Sequence, residues 1–163
     1  MIDVVIEDAR WAGLDLESLA ERASDATLAH LGLTPDDWEA CVMACDDARI
    51  ADLNAEFREK PTPTNVLSWP SEERSAEEDG AQPELPEGPD PELGDIAIAF
   101  ETCERESVAA EKPMADHVTH LLVHAMLHLL GFDHIRDKDA ALMEGLEVEI
   151  LGKLGLSNPY YEG

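Results

Sequence analysis

The stretch His124-Ala125-Met126-Leu127-His128-Leu129-Leu130-Gly131-Phe132-Asp133-His134 organises the C-terminal half of this 163-residue chain. Between its first two histidines lie only apolar residues, and side chains four apart on a helix project from one face, about 40° from one another. Gly131 stands where such a helix ends, since glycine enters the left-handed conformation without steric cost. The chain then turns back and brings His134 round toward the pair. Upstream the apolar pattern runs back to about residue 114, where Lys112-Pro113 separates it from a helix starting near Glu101. Downstream, Leu142, Leu146, Ile150 and Leu154 predict a last helix over about 137–154.

The N-terminal half alternates strand and helix. Residues 3–6 read as a first strand, without the basic start and long apolar region of a signal peptide. Residues 14–31 have apolar positions at helical spacing, with Gly32 as a stop. A turn at 34–37 leads to a strand over 38–45. Asp46 then caps a helix to about Arg58 that buries Ile50, Leu53 and Phe57. Residues 60–64 are irregular because of Pro61 and Pro63, and short strands follow at 66–69 and 95–100. In the last of these, Ile96 and Ile98 alternate with Ala97 and Ala99, as in a strand covered on both faces. The expectation is one α+β domain over residues 1–163, with a mixed sheet of about four strands packed with about five helices.

Composition narrows the function classes. A hydrophobic content of 44% and a charged content of 29% suit a water-soluble domain, and no apolar run reaches the roughly 18 residues of a membrane span. Cys41, Cys45 and Cys103 are odd in number and lack framework spacing, which suits a reducing cytoplasm and small buried residues. The net charge of −26, from 37 acidic and 11 basic residues, taken alone opposes a polyanionic partner. Much of the acid is concentrated in SEERSAEEDGAQPELPEGPDPE, residues 71–92, which has four prolines. That segment buries too little apolar surface to offset its ordering entropy and is expected to be a flexible acidic loop within the domain.

His117, His120, His124 and His128 share an arc of roughly 80° on the long helix. His117 and His124 lie about 10 Å apart along the axis, too far to share an ion. Only His124 and His128 are followed by a glycine break and another histidine, so His124, His128 and His134 are the metal candidates. Three imidazoles with one position open are the ligand set of a catalytic zinc. The spacing H-x-x-x-H-x-x-G-x-x-H is metzincin-like, yet Ala125 stands where those peptidases carry their glutamate base. Without it, protonation of an amide leaving group loses its agent, and the balance shifts toward phosphate esters. His117 and His120 are open to an orienting, substrate-facing or plain surface role. Asp133 either orients an imidazole or shapes the turn. Arg58 and Lys60, at a helix end before the Pro-Thr turn, either grip a phosphate or cap the helix dipole. Arg136 and Lys138 either extend a cationic rim or begin a solvated helix.

Several blocks together resemble the YbeY family of bacterial endoribonucleases. The family's His-Gly-x-Leu-His-Leu-x-Gly-Tyr-Asp-His run is similar to residues 124–134, with Ala125 for glycine and Phe132 for tyrosine. Its Asn-x-x-Tyr/Phe-Arg-x-Lys…Pro-Thr-Asp/Asn-Val-Leu-Ser-Phe segment is similar to residues 54–69, with Trp69 for phenylalanine. Leu-Gly-Asp-Ile-x-Ile matches residues 93–98, and Met-Glu-x-Leu-Glu matches 143–147. The resemblance implies an α+β fold, one zinc ion on His124, His128 and His134, and cleavage of single-stranded RNA. It implies roles for Arg58 and His124 in catalysis, and for Arg58, Lys60 and His120 in substrate binding. It further implies maturation of ribosomal RNA at the 16S 3′ end, ribosome quality control and association with the small subunit in the cytoplasm, with neither membrane nor DNA as partner. Two other readings compete: a ribosome-assembly factor whose zinc is structural, and a zinc peptidase, which Ala125 disfavours.

Overall fold

The computed structural model describes residues 2–58, 62 and 64–160, without the side chains of Phe57 and Arg58. The strands are β1 (Ile2–Ile6), β2 (Glu39–Cys45), β3 (Val66–Pro70) and β4 (Glu92–Ala99). The helices are α1 (Leu16–His30), α2 (Asp47–Arg58), α3 (Phe100–Ala109), α4 (Met114–Leu129) and α5 (Asp137–Lys153). Two short 3-10 turns, Ala9–Leu14 and Pro35–Asp37, complete the described elements. The sheet has the order β1-β2-β4-β3; β1, β2 and β4 run parallel, and β3 pairs antiparallel with β4. The expected α+β fold with one mixed four-stranded sheet is therefore present.

Period-two alternation distributes the strand side chains between two layers. Ala40, Val42 and Ala44 of β2, with Leu93, Ile96 and Ile98 of β4, join the main core. There they meet Ala20, Ala23 and Leu28 of α1 and most of the apolar residues of α4. Cys45, Leu67, Ala97 and Ala99 form a smaller cluster with Ile50 and Leu53 of α2 on the opposite face. The strand expected to be covered on both sides is so covered. Burial pushes the Cys45 and Cys103 thiols up to about 12, leaving them protonated and inert at neutral pH.

Two boundaries differ from expectation. The first helix was expected from residue 14, yet a 3-10 turn ends at Leu14 and α1 begins at Leu16. Asp15 between them has φ +53°, so the backbone breaks direction there. In α5 the buried residues are Asp139, Met143, Glu147, Ile150 and Leu151, whereas Leu142 and Leu146 are only half-buried. The inward face is rotated from the leucine stripe and contains an acid. Asp46 caps α2 as expected, accepting from the Arg49 N–H at 2.8 Å.

Residues 71–91 have neither helix nor strand, but their first half is tied down. Arg74 donates to the carbonyls of Leu93 (3.2 Å) and Leu129 (3.0 Å). Arg136 donates to those of Ala76 (2.7 Å) and Glu77 (2.8 Å). The Gly80 N–H reaches Asp139 at 2.8 Å, and Asp79 accepts from the Asp139 N–H at 2.9 Å.

Candidate metal centre

From Val118 to Leu130 every residue of α4 and its cap is buried except His120, His124 and His128, which are half-buried. The helix is thus a core element with one polar stripe, and that stripe is imidazole. Its end is a Schellman motif: Phe132 N–H donates to the Leu127 carbonyl and Gly131 N–H to that of His128, both at 3.0 Å. Gly131 takes φ +101°, as the sequence required. Asp133 then accepts from the backbone N–H groups of His134 (2.6 Å) and Ile135 (3.0 Å). Of its two possible roles, Asp133 takes the turn-shaping one. The turn places the His134 ring 5.1 Å from that of His124, centroid to centroid.

Each helix histidine is held by a partner from another element. His124 Nδ1 lies 3.0 Å from Glu147 Oε1, and His120 Nε2 lies 3.0 Å from the same oxygen. Tyr160 donates its hydroxyl hydrogen to Glu147 Oε2 at 2.8 Å. His128 Nδ1 is hydrogen-bonded to Ser68 Oγ of β3. His117 Nε2 lies 3.0 Å from Glu106 Oε1, which also accepts from Asn65 Nδ2 at 3.0 Å. Burial works against the charge of Glu147, but the bonds from His120, His124 and Tyr160 outweigh it and bring its carboxyl down to about 2. Both ring nitrogens approach the same carboxylate oxygen, the geometry in which a carboxylate accepts from imidazole N–H groups.

Three imidazoles suit zinc, and the outer bonds on His124 and His128 leave Nε2 as the nitrogen each would offer a metal. The structure brings His124 and His134 together, with His128 one turn along the same face. Among the described residues, no three His, Cys, Asp or Glu side chains are close enough to hold an ion as they stand. His134 is exposed, so its ring can rotate without displacing packed atoms. Ala125 is buried in the main core, away from the polar stripe.

Other sequence candidates fall differently. The Arg58 side chain and the whole of Lys60 lie outside the described residues. Within the described residues next to them, Asn54 Nδ2 donates to the Thr62 carbonyl at 2.9 Å. His120 is tied to Glu147 and Tyr160. The cationic rim does not form at Arg136, whose guanidinium binds Asp139 at 2.6 Å and the loop carbonyls. Sequence reasoning missed Glu147 and Ser68 as partners of the histidines. Alternation along β3 was the available signal for Ser68, which shares a face with core-packed Val66. An acid four residues after Met143 and three before Ile150, inside an apolar face, was the signal for Glu147.

A family model described as "Endoribonuclease YbeY" matches residues 3–155. A relative of that name from Ruegeria sp. (strain TM1040) is 62% identical over 163 residues, covering 98% of this chain and 96% of its own length. Another, from Dinoroseobacter shibae, is 60% identical over 162 residues, covering 98% and 90%. The solution structure of a Thermotoga maritima protein superposes with a TM-score of 0.57 at 20% identity, covering 99% of this chain and all of that one. At that identity the likeness concerns the fold.

Proposed function

The chain belongs to the YbeY endoribonuclease family, and from that premise we propose that it is a zinc-dependent endoribonuclease cleaving single-stranded RNA. His124, His128 and His134 hold the ion. The observation that carries the reading is the outer hydrogen bond on each of two helix histidines, Glu147 on His124 and Ser68 on His128. Bonds of this kind fix ring orientation and tautomer in metal sites. When bound, zinc supplies Lewis acidity that draws negative charge from a phosphoryl oxygen.

The protein's own groups define the rest. Ala125 removes the carboxylate base that peptide hydrolysis needs. Glu147 does not replace it, since a carboxyl held at about 2 and engaged by three donors takes no proton at neutral pH. A phosphodiester calls instead for positive charge on its oxygens. Arg58 is assigned that role, gripping the phosphate bidentately, with Lys60 as a further cation. The substrate class is ribosomal RNA of the small subunit, at its 16S 3′ end, and the compartment is the cytoplasm, to which three unpaired cysteines are suited.

The test is cleavage of an unstructured RNA by the purified zinc-loaded chain, by His124→Ala and by Arg58→Ala. His124→Ala should lose cleavage, and Arg58→Ala should lose roughly 100- to 1000-fold in rate while keeping its zinc. Equal cleavage by all three proteins would contradict the proposal.

A further inference from the structure

Glu147 has no exposed surface, although it sits within the inward face of α5 between Met143 and Ile150. A carboxylate buried this completely is costly unless its oxygens are fully engaged. Its three donors come from two regions, His120 and His124 on α4 and Tyr160 beyond α5. Oε1 lies 3.0 Å from both ring nitrogens, so a single oxygen fixes two successive members of the histidine stripe. With its hydrogen on Nδ1, neutral His124 has its lone pair on Nε2.

We propose that Glu147 is a positioning residue of the metal centre, holding His124 in the Nδ1–H tautomer and making its Nε2 a stronger donor to the ion. This rests on the zinc reading above. Anionic partners on the far nitrogen raise the basicity of a ligating imidazole, and their loss typically weakens metal binding roughly 10- to 100-fold. His120 serves as a second donor that keeps the shared oxygen in place.

Zinc affinity of the full chain, measured by competition with a chromophoric chelator, tests the proposal alongside melting of the metal-free protein. Glu147→Gln keeps the shape and removes the charge; zinc binding should weaken roughly 10- to 100-fold. His120→Gln leaves the direct bond from Glu147 to His124 and should weaken zinc binding less than Glu147→Gln does. Glu147→Gln that melts lower yet binds zinc unchanged would show a merely structural carboxylate and overturn the proposal alone. A parent chain that takes up no zinc would overturn the zinc reading and this proposal together. Should Glu147→Gln fail to fold, long-range proton–nitrogen NMR of the metal-free parent at mildly alkaline pH decides. A hydrogen on His124 Nδ1 supports the assignment, and one on Nε2 overturns it.

Discussion

A methyl group at Gly131 would lie 2.4 Å from the Arg74 carbonyl oxygen, at a backbone φ of +101°. Gly131→Ala therefore combines left-handed strain with a clash against the acidic loop, and it should cost about 2–4 kcal/mol. Urea denaturation measures this directly; an unchanged midpoint would mean that the loop gives way at no cost. The helix-ending role of Gly131 was legible in the sequence because it follows from local backbone sterics. The partners of the histidines were not, because contact depends on how distant elements pack. Glu147 lies 23 residues from His124 along the chain, and Ser68 lies 60 from His128. Asp133 was legible as one of two alternatives, and the turn geometry selected between them.

Elements with strong periodicity were read almost to the residue, since α4 (Met114–Leu129) and β2 (Glu39–Cys45) have patterns set by burial on known faces. The inward face of α5 was misjudged because Glu147 interrupts its apolar run and Leu142 and Leu146 suggested a different phase. Composition gave the acidic segment its lack of regular structure but not its attachment, which uses Arg74 and Arg136 against backbone carbonyls. The attached half precedes Ala81, while Glu84 and Glu87 are exposed. A glutamate-specific protease should cut the native protein first after Glu84 or Glu87. In Arg136→Ala, cleavage after Glu77 and Glu78 should rise, as followed by mass spectrometry of the early fragments. An identical cutting pattern in both proteins would show that Arg136 does not hold the loop.

The whole molecule carries a net charge of −26, and several of its cations are already committed to acids. Arg10 meets Asp8 and Glu101, Arg105 meets Asp47, and Arg136 meets Asp139. An RNA phosphate approaching such a surface is repelled at long range, so attraction must be concentrated at the reaction centre. A dication on His124, His128 and His134, as proposed above, would meet that need, with Arg58 as its companion. From Val118 onward the fold buries α4 on every side but its histidine stripe. X-ray absorption at the zinc edge on the purified chain, with metal content determined on the same sample, tests this most directly. One zinc per chain with about three imidazole nitrogens at roughly 2.0–2.1 Å is the expected result. Zinc ligated without imidazole, or bound equally well after His124→Ala and His128→Ala together, would contradict it.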